Sequence, residues 1–158
     1  MLELPPLAKP DSQELPMSAE SKDQIQSTVT GFFQDLGAQL QTYSAEEVVV
    51  ALELLPRHMN NASQMHGGVM ATLMDAAMGL CGTYSLAPEE RQVAITLSMN
   101  VNFSAPATAG SRVRAVARCR SKGHKIFMAT CDLLDQDDRL LAFGEGVFKR
   151  GALRRELP

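Results

Sequence analysis

The sequence predicts an α+β domain in which one curved antiparallel sheet wraps around a long central helix, with an extra helix on the N-terminal side. Three observations predict it. Residues 66–85 are apolar on every face, the pattern of a helix enclosed by other elements. From residue 93 to 148 apolar and polar side chains alternate in four runs separated by short turn-forming clusters, the pattern of antiparallel strands. The 158 residues, 45% of them hydrophobic, suffice for one ordinary core and fall short of two large ones.

Four of the eight prolines, Pro5, Pro6, Pro10 and Pro16, fall in the first 16 residues, where no periodic apolar pattern accompanies them. Residues 1–20 therefore read as a loose leader, 21–150 as the domain and 151–158 as a C-terminal tail. Ser21 and Gln24 have capping-box spacing, and Ile25, Val29, Phe32, Phe33, Leu36 and Leu40 follow on one helical face, which predicts a helix over 22–41. Glu46 to Leu55 is β-branched and apolar and stops at Pro56, a strand followed by a loop.

In the segment 66–85, Val69, Met70, Leu73, Met74, Ala77, Met78 and Cys81 leave no polar side, and Ala71, Ala76, Gly79 and Gly82 would let other backbones come close. Val93, Ile95, Leu97, Met99, Val101 and Phe103 then alternate with Ala94, Thr96, Ser98, Asn100, Asn102 and Ser104, a long half-buried strand ended by Pro106 and Gly110. Val113, Ala115, Ala117 and Cys119 alternate with Arg112, Arg114, Arg118 and Arg120, which predicts a strand with one solvated, basic face. Ser121 to Gly123 mark a turn, Ile126 to Leu134 a strand, Asp135 to Asp138 a hairpin turn and Leu140 to Phe148 the last strand.

Fifteen basic against 18 acidic residues give a formal charge of −3, which offers no electrostatic footprint for nucleic acid. No window has the roughly 18 uninterrupted apolar residues of a membrane span, and no basic-then-apolar leader opens the chain, so a soluble cytoplasmic protein is expected. Cys81, Cys119 and Cys131 are odd in number and lack Cys-x-x-Cys spacing, which reads as reduced core residues. His58, His66 and His124 have no ligand spacing, so neither a metal nor a cofactor is expected. Nine methionines against no tryptophan suit either a plain core or an adaptable apolar pocket.

Asp75 is the only ionisable side chain between Gly67 and Tyr84. An unpaired buried carboxylate costs several kcal/mol, so such a residue needs a partner inside the fold or at a subunit contact, or it needs a function. His66-Gly67-Gly68 stands just before the helix, where free N–H groups and the positive dipole end form a cradle for an oxyanion; the plainer reading is a loop-to-helix turn. Asn60 lies six positions upstream of His66, by default a turn residue.

Together, Asn60-Asn61-Ala62-Ser63-Gln64-Met65-His66-Gly67-Gly68, Asp75 nine residues after His66, and the strand Thr96 to Phe103 leading to Pro106 resemble the hotdog-fold acyl-CoA thioesterases of the phenylacetate-degradation (PaaI-like) type. The resemblance runs from about residue 45 to 150. It implies an acyl-CoA substrate, with Asp75 as general base or nucleophile, the Gly67 N–H as donor to the thioester carbonyl, Asn60 and His66 positioning the reacting groups, and Thr96 holding the attacking water. Gly68 would contact the bound substrate or CoA. Coenzyme A also brings phosphates, for which Lys122, His124 and Lys125 around Gly123 are the best-placed cations, with Arg150 a weaker candidate.

An oxyanion donor of this kind is worth about 3 to 4 kcal/mol. A desolvated Asp75 would be a stronger base than a surface aspartate, and attack through an anhydride stays open beside general-base catalysis. Gly67 and Asp75 are eight residues apart, about 12 Å along a helix, which predicts a two-fold dimer that assembles each site from two chains. The resemblance implies the same homodimer, or a dimer of dimers. Two other functions compete: a hydratase or dehydratase pairing His66 with Asp75, and a non-catalytic acyl-CoA-binding module. No Gly-x-Ser-x-Gly and no phosphate-binding loop motif occurs.

Overall fold

The computed structural model of the protein describes residues 31–85, 87, 90 and 92–153. Along the chain they form α1 (Phe32–Leu36), β1 (Gln39–Tyr43), β2 (Val48–Glu53), a 3-10 turn (Pro56–His58), α2 (Gly67–Gly82), β3 (Gln92–Phe103), β4 (Arg112–Lys122), β5 (Ile126–Asp135) and β6 (Leu140–Leu153). All strand pairs are antiparallel, and one six-stranded sheet results, in the order β1-β2-β4-β5-β6-β3.

The expected N-terminal helix over 22–41 is corrected at its end. Gly37 takes φ 86°, a left-handed conformation that stops α1 after Leu36, and Leu40 belongs to a strand instead. That strand folds back on β2 through a turn in which the Ser44 Oγ accepts from the Glu47 N–H at 3.0 Å. Residues 22–30 and the leader over 1–20 lie outside the described residues.

A second correction concerns the sheet, expected to curl around α2. It stays open: among the described residues β1 and β3 are its two edges and do not meet, and α2 lies across one face. Accordingly α2 is not buried all round. Leu73, Met74, Ala77 and Met78 are buried in the core with Val48, Val50, Phe127 and Phe148, whereas Gly68 is exposed and Thr72, Asp75 and Ala76 are half-buried. An apolar composition on every face signals enclosure only when something occupies every side, and one chain covers only some of them.

The strict alternation of β3 is broken as well. Register shifts between Thr96, opposite Phe148, and Ser98, opposite Val147, leaving Leu97 unmatched and 54% exposed. Residues directly opposite share a face, so Ala94 and Thr96 face α2 before this bulge and Met99, Val101 and Phe103 face it afterwards. Val93 and Ile95 point to the far side. At the other end of the chain β6 continues through Leu153, past the expected stop at Phe148, and 154–158 lie outside the described residues.

Gly82 closes α2 where no side chain fits. A Cβ there would stand 1.9 Å from Phe127 Cε2, and that ring stacks on Phe148 at 5.1 Å. Arg150 covers the same ring at 5.0 Å, its Nε donating to the Gly82 carbonyl at 3.0 Å and its Nη1 to the carbonyls of Gly123 and His124. Among the described residues no helix is long and apolar enough to cross a membrane.

Candidate active site

The loop before α2 is held at its base by backbone pairing between Met59 and Met65 and by the Met65 N–H donating to the Ala107 carbonyl at 2.8 Å. Asn60 organises its tip. The Asn60 N–H donates to the Gln64 carbonyl at 2.7 Å, and its side-chain oxygen accepts from the N–H groups of Ala62 at 2.8 Å and Gln64 at 3.2 Å. Asn60 thus holds the loop together with its oxygen, and its amide nitrogen has no partner among the described residues.

His66 caps α2. Its Nδ1 accepts from the Gly68 N–H at 2.9 Å, which fixes the proton of a neutral ring on Nε2, because a backbone amide can only donate. A Cβ on Gly68 would stand 3.0 Å from Nδ1, so glycine permits this close cap. The Gly67 N–H donates to no partner among the described residues and points from the positive end of a sixteen-residue helix. Beside it lies a shallow cleft of about 290 Å³ walled by Met65, Met70, Phe103 and Pro106.

Asp75 stands on the third turn of α2, half-buried, and its Oδ1 accepts from the Thr96 hydroxyl at 2.8 Å. The expectation of a carboxylate sealed in an apolar helix is therefore corrected. It lies on the side of α2 that also carries Gly68 and Thr72, next to β3, an edge strand among the described residues.

Two clusters result, His66 with Gly67 and Gly68, and Asp75 with Thr96, separated by about 12 Å of helix. The candidate phosphate contacts form a third group at the opposite end of α2. Lys122 closes β4, and Gly123, His124 and Lys125 form the turn to β5 beside Gly82, about 22 Å along the helix from Gly67. Arg150 differs from its sequence-based assignment, since the carbonyls of Gly82, Gly123 and His124 engage its guanidinium as a clamp between helix end and turn. The sequence also passed over Phe103, whose ring lies 3.4 Å from where a Gly67 Cβ would be, because simple alternation assigned it no site.

A model of the thioesterase superfamily matches residues 63–142, half of the chain, from just before α2 through β3, β4 and β5 to the first residues of β6. The chain belongs to the thioesterase superfamily. It is similar to PaaI-like, hotdog-fold proteins: a mutant of the phenylacetic acid degradation protein PaaI from Thermus thermophilus superposes with a TM-score of 0.67 over 76% of this chain and 98% of that one, at 26% identity. The fold is shared with the PaaI protein of Escherichia coli, with a TM-score of 0.73 over 85% of this chain and 94% of that one, at 19% identity. Acyl-coenzyme A thioesterase 13 of Mus musculus is 27% identical over 108 residues, 66% of this chain and 74% of its own length. A Schizosaccharomyces pombe relative, named only provisionally as an esterase, is 30% identical over 128 residues, 78% of this chain and 77% of its own length. The matched region of this thioesterase-superfamily chain includes His66, Gly67, Asp75 and Thr96 and excludes Asn60.

Proposed function

We propose that the protein hydrolyses acyl-CoA thioesters at sites shared between two copies of the chain. The observation that carries this is that the Asp75–Thr96 pair stands at β3, which is an edge strand among the described residues, apart from the Gly67 amide. A long edge strand with exposed Val93, Ile95 and Leu97 is a template for pairing with another strand. Two-fold pairing along β3 would lay the half-exposed sides of two α2 helices together in opposite senses, bringing Gly67, Asn60 and His66 of one chain opposite Asp75 and Thr96 of the other. Exposed Ile95, Ile126 and Met128 on the far face of the sheet would serve the second contact of a dimer of dimers.

In such a site the Gly67 N–H donates to the thioester oxygen as it becomes an oxyanion, and the helix dipole adds to that field. Asp75 takes the proton of a water that Thr96 helps to orient. The water oxygen bonds to the carbonyl carbon, the C–S bond breaks, and the sulfur leaves as the CoA thiol after receiving a proton. Attack by Asp75 itself would pass through an anhydride that water then opens. The turn Lys122–Lys125 lies about 10 Å beyond Asp75 along the helix, room for the arm that links a thioester to the CoA phosphates. The exposed Phe103 ring gives the Gly67 cleft an apolar wall beside the polar Gln64 and Ser104, which suits aryl or medium- to long-chain acyl groups.

A thiol-release assay over aryl, short, medium and long saturated acyl-CoA substrates tests this reading. Release from saturated chains is expected, strongest for aryl or longer groups. Turnover confined to unsaturated or hydroxyacyl thioesters without thiol release would identify a hydratase or dehydratase, and tight binding without turnover a binding module.

A further inference from the structure

His58 lies outside the proposed chemistry, yet its surroundings are more restrictive than those of any catalytic candidate. Its side chain is 1% exposed, and both ring nitrogens meet backbone groups. The Leu55 N–H donates to Nδ1 at 3.0 Å, and Nε2 lies 3.0 Å from the Leu36 carbonyl. Because an amide only donates and a carbonyl only accepts, Nδ1 is bare and Nε2 carries the proton. The ring is neutral and has one orientation.

That orientation is passed on through the backbone. The His58 N–H returns to the Leu55 carbonyl at 2.9 Å, so the turn is closed by reciprocal bonds, backbone in one direction and ring in the other. The carbonyl of the same residue then accepts from the His66 N–H at 2.9 Å, immediately before Gly67. His66 in turn grips the Gly68 N–H through Nδ1. Ring, turn, carbonyl, cap and oxyanion amide form one unbroken chain of contacts. Through Nε2, the end of α1 is attached to it as well.

We propose that His58 is a positioning residue for the reaction: its ring locks the Leu55–His58 turn and through it sets the His66–Gly68 amides, while anchoring that turn to α1. The kinetic part of this inference rests on the thioesterase reading; the structural part does not. An oxyanion amide displaced by about 1 Å can cost on the order of a hundredfold in rate. The loss should fall on kcat, since the contact strengthens as charge develops on the oxygen, with little change in KM.

The two ring bonds can be separated by substitution. His58→Asn places an acceptor near the Nδ1 position and keeps the bond from Leu55, whereas His58→Gln places a donor near Nε2 and keeps the bond to Leu36. Both variants would be compared with the wild type by thiol-release kinetics, thermal melting and amide hydrogen exchange. We expect His58→Asn to retain kcat within about threefold and His58→Gln to lose tenfold or more at unchanged KM. Exchange over 64–68 should quicken in His58→Gln with β4 and β5 unchanged. Equal kcat in both variants, or unaltered exchange at 64–68, would overturn the proposal. If the wild type releases no thiol, the thioesterase reading fails and the exchange pattern alone decides the role of His58.

Discussion

The Thr96 hydroxyl donates a 2.8 Å hydrogen bond to Oδ1 of Asp75, joining the third turn of α2 to β3, an edge strand of the sheet among the described residues. The bulge just after Thr96 makes this contact one of a kind on β3. Before it, Thr96 shares the α2 side with Ala94; after it, that side belongs to Met99, Val101 and Phe103. The bulge therefore puts a hydroxyl against the carboxylate and an aromatic ring against Gly67 from a single strand.

Asp75→Asn keeps the size of the side chain and its bond to Thr96 but removes the base. It should lose at least about a hundredfold in kcat, the low end for a positioned general base, with an unchanged circular dichroism spectrum. Near-wild-type turnover in the folded variant would exclude Asp75 from the chemistry.

Thr96→Val removes the hydroxyl at nearly constant volume and leaves Oδ1 of Asp75 without its donor. A kcat lower by about tenfold is expected, with Thr96→Ser recovering most of it, as the loss of one hydrogen bond to a charged group implies. Steady-state kinetics on both variants checks the order; a Ser variant as impaired as Val would assign the effect to packing.

Much of this arrangement is legible in the sequence, because Asp75 stands out on an apolar helix and His66-Gly67-Gly68 stands at a helix start. The strands β4, β5 and β6 follow from alternation and turn residues. What escaped depends on partners distant in sequence. Leu40 continues a helical spacing, and only Gly37 at positive φ, with β2 available to pair, makes it a strand residue. The bulge at Leu97 is silent because each half of β3 alternates correctly by itself. His58 resembles any loop histidine until Leu36, twenty-two residues upstream, is seen against its ring.

Gly82→Ala tests the packing at the end of α2. Alanine is favoured over glycine within a helix by about 1 kcal/mol, but its Cβ would stand 1.9 Å from a ring held between Phe148 and Arg150. Overpacking of a closed core should prevail, lowering stability by about 1 to 3 kcal/mol in chemical denaturation. A variant as stable as the wild type would mean that the Phe127 stack yields easily.

Stability should also depend on pH through His58. Burial lowers its pKa from the ordinary 6.5, the Leu36 carbonyl opposes that shift and the Arg57 charge adds to it. The unfolded chain therefore takes up a proton near pH 6.5 while the folded chain does so only at lower pH. The contribution is full above pH 6.5 and is lost as pH falls toward the folded value. Denaturation midpoints between pH 7.5 and 5 should fall more steeply in the wild type than in His58→Gln, by roughly one proton's linkage at most. Parallel slopes would place the acid sensitivity elsewhere.

The shared-site assembly yields the most selective test. Gly67 and Asp75 are on one helix about 12 Å apart, so neither can approach a carbonyl carbon held by the other within a single chain. Asn60→Ala and Asp75→Ala should each be nearly inactive. In a mixed dimer of the two, both lesions fall in one site and the other site is intact. Random association makes half of the dimers mixed, each with one working site of two, so activity should recover to roughly a quarter of wild type for independent sites. Co-expression with two different affinity tags and sequential purification would isolate the mixed species and raise the expected value to about half. Verified mixed dimers without recovered thiol release would show that one chain, or some other pairing, builds the site.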